Sequence, residues 1–163
     1  MEFEDSLANG PHALLARLAG NWKGTCKTWF EPGKLADTQP ITGRIRRVLG
    51  GRFVKHTYKS QLMGQTMRGH ALIGFDLGRG KFIVSWADSC HNGTNIMNSV
   101  QDREPEKHAL SVLGHYPDNQ GGPDWGWRTE YRIEGDDKLT VRHFNIPPGM
   151  GEALAVEIKY TRA

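Results

Sequence analysis

The chain offers very little of what usually identifies a function. Its 163 residues contain only two cysteines, Cys26 and Cys90, too few for a disulfide framework. No apolar run approaches the length of a membrane span. The opening segment, Met1 to Gly10, is acidic and polar, unlike a secretory leader. A reducing cytoplasm is therefore the expected location, and the glycosylation-like triplet Asn92-Gly93-Thr94 carries no weight there. No long basic run is present, and the only dense stretch, Arg44, Arg46 and Arg47, alternates with Ile45 as a solvated strand face would. Neither a nucleic acid nor a membrane is expected as a partner. Helical patterning is also scarce. Leu14, Leu15 and Leu18 share one side of a single short helix, with Asn9 or Ser6 to cap it, Pro11 in its first turn and Gly20 to stop it.

Glycine, by contrast, is abundant, with 20 residues. From Trp22 onward the apolar period is two, in runs near 22–30, 41–49, 52–61, 66–76, 80–87, 94–101, 108–116, 125–134, 138–146 and 153–161. The separators are turn material such as Glu31-Pro32-Gly33, Gly50-Gly51, Gly135-Asp136-Asp137 and Pro147-Pro148-Gly149. None is long enough for a helical crossover, so sequential antiparallel hairpins follow. An open sheet of this size leaves two unpaired edges, and closure removes them. The reading is a single all-β domain over residues 1–163, a closed antiparallel up-and-down barrel of about ten strands with a short N-terminal helix. A barrel that wide can enclose a cavity; a two-sheet sandwich with a filled core is the alternative.

Alternation assigns an inward face to each strand. It holds Trp22, Gly24 and Cys26 on the first strand, and Val54, His56 and Tyr58 on the third. Strand eight presents Trp127, Thr129, Tyr131 and Ile133, and strand nine Leu139, Val141, His143 and Asn145. Leu154, Val156, Ile158 and Tyr160 complete the set. Arg128 then points outward, where Glu130 is its simplest cross-strand companion. Polar groups among apolar ones (His56, Tyr58, Tyr131, His143, Asn145) are what ligand pockets present, although such groups can equally satisfy one another in a filled core.

The segment Trp86-Ala87-Asp88-Ser89-Cys90-His91 gathers nucleophile, base and acid types. Neighbours in sequence rarely converge as a triad, and no Gly-x-Ser-x-Gly elbow is present. Trp86, Asp88 and His91 are instead placed at the rim of a binding site, and Met97 is an adaptable lining residue. None of the seven histidines shows metal-ligand spacing. The expected ligand-binding set is Trp22, His56, Tyr58, Trp86, Asp88, His91, Met97, Trp127, Tyr131, His143 and Asn145. No catalytic or metal residue is assigned, the partner is a small molecule, and a homodimer is allowed. Catalysis within the barrel, with His56, His143 and Asp88 as acid–base groups, is the alternative class.

The stretch Gly20-Asn21-Trp22-Lys23-Gly24, a Gly-x-Trp-x-Gly after a short helix, resembles the start of calycin-type barrels: lipocalins, fatty-acid-binding proteins and nitrobindins. A fuller resemblance is to a bacterial family of unassigned activity near that superfamily. It rests on Thr28-Trp29-Phe30-Glu31-Pro32-Gly33, Val48-Leu49-Gly50-Gly51-Arg52-Phe53, Gly74-Phe75-Asp76 and Trp86-Ala87-Asp88-Ser89. Further on it rests on Trp125-Gly126-Trp127-Arg128-Thr129-Glu130, Asn145-Ile146 and the pair Glu157 and Tyr160. The resemblance implies a lipocalin-like barrel holding an apolar or amphipathic molecule. It brings haem in as a minority cofactor, because nitrobindin-like barrels hold haem through one late histidine. The last strand here has no histidine, which leaves His143 as the late candidate.

Overall fold

The computed structural model describes all residues, 1–163. Two helices, α1 (Phe3–Asn9) and α2 (Pro11–Leu18), precede ten strands. These are β1 (Gly20–Glu31), β2 (Lys34–Val48), β3 (Phe53–Leu62), β4 (Gln65–Asp76), β5 (Lys81–Asp88), β6 (Met97–Val100), β7 (Ala109–Tyr116), β8 (Trp125–Glu134), β9 (Lys138–Ile146) and β10 (Ala153–Arg162). Every neighbouring pair is antiparallel, and β1 closes on β10. The seam is thinnest between β6 and β7, where the ladder is a single pair, Val100 opposite Leu113.

The expected closed up-and-down barrel is therefore observed, with two departures at its start. The helical segment is split in two at Gly10, whose extended backbone breaks the helix while its N–H still reaches the Ser6 carbonyl. Gly10, not Asn9 or Ser6, occupies the N-cap position of α2, although the Ser6 hydroxyl accepts a first-turn N–H of that helix from six residues upstream of His12. Ser6 is buried and its hydroxyl meets Nδ1 and the backbone N–H of His12, stapling the two helices together. Strand β2 also begins seven residues earlier than the apolar pattern suggests. Its first half carries polar side chains and Pro40, which is tolerated because β3 joins β2 only from Thr42 onward.

Helix α2 plugs one end of the barrel. Leu15 and Leu18 are fully buried, each contributing about 1.5–3 kcal/mol by removal from water. The indole N–H of Trp22 donates to the Leu18 carbonyl at 2.9 Å. Arg162 lies over the same indole at 4.3 Å and donates to the carbonyls of Ala19 and Arg17, capping the helix end. Gly24 is required here: a β-carbon would fall 1.8 Å from the Lys159 carbonyl oxygen.

The inward faces fall as alternation assigns them on β1, β3, β8, β9 and β10, within one core of 25 buried residues. A bulge between Leu154 and Val156 shifts the start of β10, so Ala155 is buried and Leu154 only partly so. Arg128 does point outward but is not a surface partner of Glu130. Its side chain is 5% exposed and is clamped by Asp102 at 2.7 Å, Glu152 at 2.5 Å and Ser111 at 3.2 Å. The β6–β7 and β9–β10 loops, which carry Asp102 and Glu152, fold over it, which strand alternation alone cannot show. Glu130 takes Arg103 instead.

Candidate functional site at the open end

Side chains fill the barrel in two polar tiers. The deeper tier is centred on His56, which is 1% exposed. Its Nδ1 meets the Tyr131 hydroxyl at 2.7 Å and its Nε2 meets the Tyr160 hydroxyl at 3.0 Å. Both ring nitrogens are thus engaged, one as donor and one as acceptor. Burial pushes the imidazole down to a pKa of about 3 and both phenols upward, so all three are neutral.

The second tier lies toward the end opposite the helices. Trp86 donates its indole N–H to the Tyr58 hydroxyl at 2.9 Å, and Tyr58 donates in turn to Asp88 Oδ2. Gly69 makes room for that phenol, since a β-carbon would sit 2.0 Å from its ring. The other Asp88 oxygen accepts the backbone N–H groups of Cys90 at 2.6 Å and His91 at 2.9 Å, so the carboxylate starts the turn that leaves β5. Burial opposes ionisation of Asp88 most strongly. The His91 side chain, the Tyr58 hydroxyl and the Cys90 N–H together outweigh it and hold the carboxyl below its ordinary range. His91 Nδ1 lies 3.1 Å from Asp88 Oδ1, inside ion-pair distance but off the hydrogen-bond direction, so that nitrogen has no hydrogen-bond partner.

His143 stands beside this group. Its Nδ1 accepts from the Trp127 indole N–H at 3.1 Å and from the Thr129 hydroxyl at 2.9 Å, which assigns the ring proton to Nε2. Burial, reinforced by the neighbouring His91, lowers its pKa to about 3. The rings of Trp86, Trp127 and His143 lie close to parallel, with centroids 5.3–5.8 Å apart and interplanar angles of 11–25°.

These rings divide the interior into two unequal spaces. Beneath them is an enclosed void of about 10 Å³ lined by His56, Tyr58, Trp86, Thr129, Tyr131 and His143, with room for roughly one water. Above them is an open cup of about 960 Å³. Trp86 and Trp127 line its floor, with His91 and Tyr116 packed against them. Its walls are the segment Cys90–Asn95, Pro117, Asn119 and, from β1, Phe30. No Lys, Arg, Asp or Glu lines it. The amide nitrogen of Asn92, a residue at φ 59°, is buried without a partner.

Of the residues singled out from the sequence, Trp86, His91 and Trp127 line the cup. Tyr58 and Asp88 brace its floor from below, and Asn145 accepts from the Tyr116 hydroxyl in its wall. His56, Tyr131 and His143 face the small void. Met97 is buried against Gly114, and Trp22 belongs to the helix-plugged end; neither lines void or cup. Tyr116, Asn92 and Asn119 were missed, because they sit in or beside loops with no periodicity to read. His56 and His143 do converge on one space with Asp88 nearby, but that space admits a water and no substrate. For the haem expectation, the void beside His143 holds about one water, and its Nδ1 is engaged by Trp127 and Thr129 while Nε2 stands outside those bonds.

Residues 8–162 match the model of a family described as Protein of unknown function (DUF1579). No curated protein matches the chain. Among solved structures the chain is similar to the S-type phycobiliprotein lyase CPES from Guillardia theta. The TM-score is 0.54 at 8% identity, over 100% of this chain and 98% of that one. At such low identity the likeness is one of fold.

Proposed function

This chain belongs to the DUF1579 family, and we propose that it is a calycin-type binding barrel that holds a small, planar, uncharged molecule in the cup at its open end. The observation that carries this reading is the cup itself, about 960 Å³ with two near-parallel indoles in its floor and no charged lysine, arginine or carboxylate in its lining. A flat apolar molecule gains both area burial and ring stacking on such a floor. The unpartnered amide N–H of Asn92 and the nearby Asn95, Thr94 and Asn119 supply hydrogen bonds that orient its polar edge. The likeness to a phycobiliprotein lyase supports the barrel fold that this reading needs, and reaches the ligand only by analogy. The place of binding differs from a guest sealed in the barrel centre, because the His56 and His143 tiers fill that centre.

Titration with the neutral fluorescent probe N-phenyl-1-naphthylamine tests the proposal. The expected result is saturable one-to-one binding that Trp127→Ala weakens by roughly tenfold or more, as loss of an aromatic anchor does. Unsaturable binding, or unchanged affinity in that variant, would overturn it.

A further inference from the structure

The two sides of the barrel wall carry charge in opposite ways. Residues 20–76, which form β1 to β4, hold ten Lys and Arg against three Asp and Glu; residues 77–163 hold ten against twelve. The difference in pairing is sharper than the count. On β8 to β10 the cross-strand partners are of opposite sign: Glu130 opposite Arg142, Arg142 opposite Glu157 and Glu134 opposite Lys138. On β2 to β4 they are of like sign: Arg46 lies directly opposite Lys55, and Lys59 directly opposite Arg68. Like charges facing each other across a ladder destabilise a sheet. None of Lys23, Lys27, Arg44, Arg46, Lys55, Lys59 or Arg68 makes an ion pair, and all are exposed. Arg46 finds only neutral acceptors, Asn21 Oδ1 at 2.7 Å and the Ile45 carbonyl at 3.3 Å, and Lys27 alone of the seven faces an acidic residue across a ladder, Glu157.

A second feature lies at one end of the same wall. The hairpin tips β1–β2 and β3–β4, tied together by the Met63 N–H donating to Asp37, carry the exposed apolar side chains Leu35 at 53% and Met63 at 60%. These tips stand at the open end of the barrel, where Phe30 lines the cup.

We propose that the β1–β4 wall and its two hairpin tips dock onto the surface of an anionic lipid bilayer. Uncompensated lysines and arginines spread over a sheet face attract lipid phosphates and carboxylates, and separate apolar tips enter the interfacial layer. A nucleic acid is the less suitable polyanion, because the aromatic rings beside these cations are few: the imidazole of His70 and the half-buried Trp29, with no row of exposed rings for successive bases to stack on. A folded protein partner would meet a contiguous apolar centre within a polar rim, and the two tips are instead outposts beside a charged face. No helix of the chain is long and apolar enough to cross a membrane. The expectation of no membrane partner rested on that property, which concerns spanning and not adsorption. The proposal stands apart from the cup reading, since its contacts lie on the outer wall.

Flotation of the full chain with lipid vesicles tests it. Binding is expected to vesicles containing phosphatidylserine, to be absent with phosphatidylcholine alone, and to fall as salt is raised. The double variant K59E/R68E should lose roughly tenfold or more of the bound fraction, and L35S/M63S several-fold. K138E, on the paired wall, should bind as the wild type does. Each variant must keep the far-ultraviolet circular dichroism spectrum and cooperative thermal unfolding of the wild type, which shows that it is folded. The proposal fails if neutral vesicles bind equally, if K138E loses as much as K59E/R68E, or if a duplex DNA oligonucleotide binds where vesicles do not.

Discussion

His56 and His143 are both buried, both neutral and both inside the same barrel, yet their surroundings differ. His56 spends both nitrogens on tyrosine hydroxyls. His143 spends Nδ1 on Trp127 and Thr129, while above it His91 Nδ1 lies against the Asp88 carboxylate and Asn92 Nδ2 is left without a hydrogen-bond partner. The deeper tier is closed chemically, and the upper one presents flat rings to an open cup, with the unpartnered amide of Asn92 in the cup's wall. A polar group that finds its partner in the chain builds structure, and one that does not is free to meet a ligand.

Acidification should break both tiers at once and give the largest effect. Each histidine has a folded pKa of about 3 against an ordinary 6.5. The unfolded chain therefore binds protons that the folded one refuses, and stability is complete above pH 6.5 and lost on descent toward pH 3. The loss is up to ~1.4 kcal/mol per pH unit for each histidine, or ~4 kcal/mol for the pair by pH 5. Urea unfolding at stepped pH measures it, and His143→Gln should remove about half the slope. At fixed neutral pH, His56→Leu leaves two buried phenol hydroxyls unpaired and should cost ~3 kcal/mol. It should leave probe affinity within about twofold, because the cup floor is untouched.

Tyr58→Phe distinguishes the tiers through a brace. It removes a hydrogen bond to the buried Asp88 carboxylate and should cost ~2 kcal/mol at pH 7. Asp88 has a depressed folded pKa, so its contribution is present above the ordinary carboxylate range and vanishes as pH falls through the folded value. The Tyr58→Phe penalty should therefore shrink in acid, as paired denaturation curves would show. The smallest effect belongs to Asn92→Gly, which removes an unpartnered donor and suits φ 59°. Stability should stay within ~1 kcal/mol of wild type, in the stabilising direction. Binding of a carbonyl-bearing aromatic probe should weaken several-fold in a fluorescence titration.

Much of this barrel could be read from alternation. The inward placement of Trp127, Thr129, Tyr131, His143 and Tyr160 follows from a period of two once the strands are located. Other features depend on contacts far apart in sequence. Alternation puts His56 inside but cannot say that Tyr131 and Tyr160 will meet its two nitrogens from across the barrel. It places Arg128 outside without revealing that Asp102 and Glu152 arrive on loops to bury it. The cup was least legible, since its walls are loop residues such as Asn92 and Asn119, whose positions depend on the turn that Asp88 initiates. The break at Gly10 escaped because a run of leucines at helical spacing masks where a glycine interrupts the backbone.

The five tryptophans provide the most direct check on where a ligand sits. Their indole N–H signals can be followed by nuclear magnetic resonance while N-phenyl-1-naphthylamine is added. Binding in the cup should move the signals of Trp86 and Trp127 and leave that of Trp22, beneath the helix plug, in place. Movement of Trp22 with Trp86 and Trp127 unchanged would contradict the account.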